Sequence, residues 1–305
     1  MLFDPPKPLE TVVFARLPDE LKTAGPTNDW VAGQPLGTPG GSLLEGPSFD
    51  REGNLWCVDC PNGRIFKITR DGVFHRVAEY DGWPNGLKIH RDGRFFVADY
   101  KHGIMLLDPV NGKVEPFLVR YNAERFMAVN DLFFGANGDL YFTDQGMTGQ
   151  HDPRGRVFRL RPDGRVDLLL DNVPSPNGLV LNKDENALFI AATRGNCVWH
   201  APFMSHRGVG KVGVFVQLSG AGGPDGLALD EEGGLIVAQV RLGSVWTFDR
   251  FGEPRYRIRS CAQRATTNVA FGWPDRDTLY ITESESGTIL TAKLDVAGKL
   301  MYSHM

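Results

Sequence analysis

Cysteine is scarce in this chain, with four in 305 residues, and Cys57 and Cys60 form a lone CxxC without a second pair or a histidine partner nearby. That rules out a disulfide scaffold and argues against a structural zinc site, which needs about four such ligands. Charge of one sign is also missing. The formal net charge is -4, so no basic excess is available to neutralise a phosphate backbone, and a nucleic-acid partner is not expected. No run approaches the roughly 18 apolar residues of a membrane span, so no membrane partner is expected either. The opening residues MLFDPPKPLE carry acid and proline where a signal peptide has a basic start and an apolar stretch, so the expected location is cytoplasmic. Neither a GxSxG elbow nor a Walker glycine loop is present, which disfavours serine hydrolases and nucleotide binding.

What the chain does have is glycine and proline, 36 and 20 residues spread along its length, together with an internal repeat. EGPSFDREGNLWCVD from Glu45 returns as NGLKIHRDGRFFVAD from Asn85 and NDLFFGANGDLYFTD from Asn130. It recurs as NGLVLNKDENALFIAAT from Asn177, DGLALDEEGGLIVAQ from Asp225 and NVAFGWPDRDTLYITE from Asn268. The copies start at intervals of about 40 to 48 residues, the period of a propeller blade. Each copy reads as a polar residue, a short apolar strand, an Asn/Asp/Gly turn and a second strand, which is a hairpin signature. Further strand-like runs such as GRIFKITRDGVFHRVA and GRVFRLRPDGRVDLLL bring each unit to about four antiparallel strands.

The predicted fold is therefore all-β, one six-bladed propeller domain over residues 1–305. Repeat six is short of a strand, and the run TVVFARL, far upstream, is available to complete it and close the ring. Residues 1–40 then supply the closing strand and an irregular crossing segment, the crossing falling in 22–40.

The first strand of each blade lines a propeller's central channel, so the residues that open the six strands form a ring at one rim. Here they are Glu45, Asn85, Asn130, Asn177, Asp225 and Asn268, two carboxylates and four amides. Converging hard oxygens are what calcium or a related divalent cation takes as ligands. The second strands end in Asp59, Asp99, Asp144, Ala192, Gln239 and Glu283. Asp59, Asp99, Asp144 and Glu283 are expected behind the ring, holding backbone or orienting its amides.

The strings EGPSFD, VNDLFFGANGDLYFTDQG, SPNGLVL and GPDGLALD resemble the regucalcin, gluconolactonase and luciferin-regenerating-enzyme family of six-bladed propellers. The resemblance runs from Glu45 to about Leu294 and implies a metal-dependent lactonase. It implies metal ligation by Glu45, Asn177 and Asp225, with Asn130 as a fourth ligand or a substrate contact. The ion is expected to be calcium, with Mg2+, Mn2+, Zn2+ and Fe2+ as alternatives. A lactone or ester is then the expected substrate, contacted by Asn130, Asn85, Arg125 and Asn268, and Asp225 is the expected general base.

Arg125 stands five positions before Asn130, further than family members that favour aldonolactones place their arginine. Gln145 and His151 are candidates to reach the mouth, and Trp83, Phe126, Met127 and Trp273 are candidates to wall it. A phosphotriesterase-type hydrolase and a non-catalytic calcium-binding propeller are the competing readings.

Overall fold

The structure, a computed structural model, describes residues 4–23, 28–35, 41–205 and 208–305. Of the crossing segment, 24–27 and 36–40 lie outside the described residues.

Alternating apolar residues and tight Asn/Asp/Gly turns give six antiparallel sheets set around one axis. Blade 1 consists of Leu44–Phe49, Leu55–Asp59, Arg64–Ile68 and Phe74–Glu79 in sequential order, and blades 2 to 5 repeat that meander. The innermost strands are Leu44–Phe49, Pro84–Ile89, Val129–Phe134, Pro176–Leu181, Gly223–Leu229 and Thr266–Phe271. Each lies against the inner strand of the next blade, and the sixth lies against the first. Between blades the faces bury Leu, Ile, Val and Phe, among them Phe66, Phe142 and Phe158, all fully buried. A sheet covered on both faces needs apolar residues on both, so the second strands, such as LWCVD, FFVAD, ALFIAA and LIVAQV, read as near-continuous apolar runs.

Blade 6 is completed by Val12–Arg16, which pairs antiparallel with Thr288–Lys293 as the sequence predicted. One element was not foreseen. Lys7–Glu10 adds a parallel fifth strand to the outer edge of blade 5, pairing with Pro254–Arg259. The N-terminal segment thus ties two neighbouring blades. Leu17, at the end of the closing strand, is buried in the cluster that joins blades 6 and 1 with Phe66, Phe74 and Ile289. Leu17→Ala is expected to cost about 2–5 kcal/mol, read as a lower urea midpoint with an unchanged slope. A loss below 0.5 kcal/mol by the same measurement would mean that the seam does not limit stability.

The two ends of the channel differ. At one end the C-terminal residues cover the opening: Tyr302 stacks on Phe134, His304 stacks on Trp273 at 4.0 Å, and Arg51 Nε donates to the Ser303 carbonyl at 2.8 Å. Among the described residues no helix is long and apolar enough to cross a membrane.

Candidate active site

The opposite end opens into a cavity of about 400 Å³. Its floor is set by a recurring irregularity. Every inner strand carries a break in register where it opens, between Glu45 and Ser48 in blade 1 and at the matching place in the other five. A bulge re-aims side chains that regular pleating would send into the sheet face. Glu45, Asn85, Asn130, Asn177 and Asp225 consequently line one cavity, although the chain separates the first from the last by most of its length.

The sixth member of the ring needs correction. The strands LEGPSF and TTNVAF align end to end, which puts Thr267, not Asn268, opposite Glu45, and Thr267 is the residue that lines the cavity. Asn268 falls one place later, in the row occupied by Gly46, Gly86, Asp131, Gly178 and Gly226. There it is buried at 2% exposure and donates through Nδ2 to Glu45 Oε2 at 2.7 Å and to Asp131 Oδ2 at 3.4 Å. It supports the floor and does not face the cavity. The glycines of this row leave room for the two larger side chains. A Cβ at position 226 would stand 2.1 Å from Asn268 Oδ1, and one at 86 would stand 2.8 Å from Asp131 Oδ1.

The acids that end the second strands hold backbone. Asp59 accepts from Leu43 N at 2.9 Å, Asp99 from Trp83 N at 2.9 Å, Asp144 from Ala128 N at 2.7 Å and Glu283 from Ala265 N at 3.1 Å. Each of those amides lies two residues before a ring position, so the carboxylates fix where each inner strand begins. Hydroxyls and amides stitch the ring sideways. Asn85 Nδ2 donates to the Asn130 carbonyl, Thr143 to the Asn177 carbonyl, Thr193 to the Pro224 carbonyl and Thr267 to the Leu44 carbonyl.

Arg125 is exposed, pairs with Arg120 in a two-stranded hairpin, and is absent from the lining. Phe126 packs between Phe142 and Phe158, Trp273 sits at the far end against His304, and Trp83 and Met127 lie outside the lining. Gln145 and His151 do line it. So do Trp30, Tyr100, Ser175 and Arg194, which the repeat pattern did not single out because they sit in connections and not in strands. Trp30 belongs to a one-turn helix, Asp29–Ala32, capped by the Asn28 side chain on Val31 N at 3.0 Å. The two thiols of the CxxC are buried, and Cys60 Sγ lies 3.5 Å from Asn85 Oδ1.

Electrostatically the floor is strained. Burial raises the Glu45 carboxyl to about 7, with the nearby Asp131 adding to the rise against hydrogen bonds from Asn268 and Gly46. Burial first, then Glu45 and Asp131, lift Asp225 well above the ordinary carboxylate range, and the Asn177 side chain and Arg194 pull the other way. Burial also raises Asp131, with Lys88 opposing. Among the described residues no three His, Cys, Asp or Glu side chains form a metal cluster, so any cation here would need the carboxamides as ligands. Asn130 meets that need. Its Nδ2 donates to Gln145 Oε1 at 3.0 Å, Gln145 in turn is held by Ser175 Oγ at 2.9 Å, and Asn130 Oδ1 is buried with no partner.

A six-bladed propeller whose axial cavity is floored by carboxylates and carboxamides is the class that fold and site define together. A family model described as "SMP-30/Gluconolactonase/LRE-like region" matches residues 43–285, and the chain belongs to that family. Lactonase drp35 of Staphylococcus aureus is 32% identical over 231 residues, 70% of this chain and 68% of the relative. A gluconolactonase of Zymomonas mobilis is 32% identical over 276 residues, 79% and 76% of the two chains. Among solved structures, a calcium-binding protein, regucalcin, from Agrobacterium tumefaciens superposes with a TM-score of 0.78 at 21% identity, over 98% of this chain and 99% of that one. A gluconolactonase from Xanthomonas campestris gives 0.74 at 22% identity, over 83% and 86%. The lactonase relatives support lactone hydrolysis.

Proposed function

We propose that the protein hydrolyses lactones with a divalent cation, calcium first among the candidates, held by Glu45, Asn130, Asn177 and Asp225. The observation that carries this reading is the Asn130 Oδ1 atom, buried without a donor while its own amide nitrogen is pinned by Gln145. An acceptor left empty inside a protein costs about 1–3 kcal/mol, and beside two buried carboxylates a cation satisfies all three at once. Oxygen donors of this mixed kind suit hard divalent ions. When bound, such an ion polarises a carbonyl oxygen and makes water more acidic.

The chain's own residues do the rest. Asp225 accepts the proton of the water that attacks the lactone carbonyl and returns it to the ring oxygen as the ring opens. Asn85 and Asn130 orient the lactone. In Asn85 the Nδ2 donates to the Asn130 carbonyl and Oδ1 accepts from the Cys60 thiol, which together fix the plane of this amide at the cavity. Tyr100 and Thr148 line the same cavity and close its sides.

The test is turnover on a panel of simple lactones, before and after EDTA, with Ca2+, Mg2+, Mn2+ or Zn2+ restored one at a time. Activity that disappears with chelation from protein that remains folded, and returns with a divalent ion, is expected. Chelation that lowers the melting temperature without any turnover to lose would indicate a structural ion, and cleavage confined to phosphotriesters would move the site to the other hydrolase class.

A further inference from the structure

The cavity is not electrically uniform. Its floor is acidic, but the wall contributed by blades 3 and 4 is not. Arg194, in the turn Thr193–Gly195, lines the cavity. His151 lines it beside Arg194: a Cβ at position 149 would stand 3.1 Å from His151 Nδ1 and 3.6 Å from Arg194 Cγ, so the two side chains leave the wall at one place.

Two half-buried arginines of blade 3 are paired, Arg156 with Asp144 at 2.5 Å and Arg159 with Asp167 at 2.7 Å. The Arg194 guanidinium has neither an ion pair nor a hydrogen bond among the described residues. A second unmatched donor lies in the same cavity. Trp30 is 6% exposed, and its Nε1–H is buried with no acceptor among the described residues. A buried indole donor without an acceptor and, beside the same cavity, an exposed guanidinium without an ion pair favour an acceptor-rich anionic ligand of small-molecule size.

We infer that the substrates are lactones bearing a free carboxylate, which Arg194 binds through its planar fork while Trp30 Nε1–H donates to an oxygen of the same molecule. This deepens the lactonase reading and rests on it. A guanidinium fits a carboxylate with two parallel hydrogen bonds, whereas a neutral polyol offers it no matching charge. Position also matters. The fork that matches a carboxylate stands on the wall, so the substituent is directed to Arg194 and the lactone carbonyl to the floor.

The experiment compares 5-oxotetrahydrofuran-2-carboxylate with its carboxamide. Wild type is expected to prefer the carboxylate by at least about tenfold in kcat/KM, mostly through KM. In Arg194→Met the KM for the carboxylate should rise about 10- to 100-fold, the range for a charge-assisted hydrogen bond, and the preference should collapse to within about twofold. Arg194→Lys should retain part of it, and added salt should erode it. Equal losses on both lactones in Arg194→Met would overturn the inference, since Arg194 would then act only by easing the charge of Asp225. Wild-type indifference to the carboxylate would overturn it while leaving the lactonase reading intact. A binding measurement separates the two failures: calorimetry with glutarate should show binding to wild type weakened in Arg194→Met even if neither lactone turns over, and no difference would sink the inference on its own.

Discussion

Asp225→Asn is expected to reduce lactone hydrolysis by about 10²- to 10⁴-fold in a protein that remains a folded propeller. The side chain is 8% exposed and sits at the opening of a buried strand, so an isosteric amide keeps the packing. What it removes is the ability to accept a proton. The substitution also removes a charge that burial and the neighbouring Glu45 and Asp131 disfavour, so the fold loses nothing by it. Ligation is affected less, because the amide oxygen remains a donor and Glu45, Asn130 and Asn177 are unchanged. The expected pattern is a large fall in kcat with a smaller loss of cation affinity, measured by single-turnover kinetics and by a calcium titration of the same preparation. Unchanged turnover would take Asp225 out of the chemistry.

The repeat made most of the architecture legible because a propeller writes the same physical demand six times. Each blade needs a hairpin of fixed length, and Asn, Asp and Gly at the turns are almost the only way to meet it. Even the closing strand was visible, since repeat six lacks a partner and Val12–Arg16 is the apolar run upstream of repeat one that fits. The parallel strand Lys7–Glu10 was not. It is four residues long and contains Pro8, which normally disfavours a strand and is tolerated here only because the strand lies at an edge.

The error at Asn268 has a plain cause. The other copies open on Glu, Asn or Asp, and in the sixth the nearest such residue is one place beyond the bulge, while the true occupant is Thr267. A shift of one residue in a strand reverses the side chain's face, so Asn268 points at Glu45 and Asp131 where a ring residue would point at solvent. Aligning the strand ends, Phe49 with Phe271, would have found it. Asp131 carries no repeat signal for the same reason: it follows Asn130 directly and occupies a row that is glycine in four blades. Trp30 and Arg194 had no signal at all, since connections carry no periodicity and only their placement over the cavity gives them a role.

A large effect on stability is also expected from Glu45→Gln, and its sign depends on pH and on divalent ions. In the folded protein without divalent ions the Glu45 carboxyl titrates near 7, against 4.5 for the ordinary group, because burial penalises the anion. Below the ordinary value the carboxyl is protonated in both folded and unfolded chains and favours neither. Between the two values the folded state holds the proton more tightly, so raising the pH through this window draws the equilibrium toward the unfolded state. Above about 7 the full difference is in force, about 3 kcal/mol for this group at roughly 1.4 kcal/mol per pH unit. Asp131 and Asp225 are raised as well, so the three carboxyls discharge as a coupled set.

In EDTA, wild type is therefore expected to melt lower at pH 8 than at pH 5, by about 5–10 °C. Glu45→Gln should flatten that slope and melt above wild type at pH 8. Its amide oxygen still accepts from Asn268 Nδ2 and Gly46 N, so the floor stays tied together. Calcium reverses the order. A ligand at a thousand times its dissociation constant adds about 4.1 kcal/mol to the state that binds it, and only wild type has the anionic oxygen at position 45 that earns that affinity. The two melting curves should thus exchange places when calcium is added at pH 8. If Glu45→Gln is instead the less stable protein in EDTA at that pH, the chain itself balances the buried carboxylate, and the case for a cation on this floor falls.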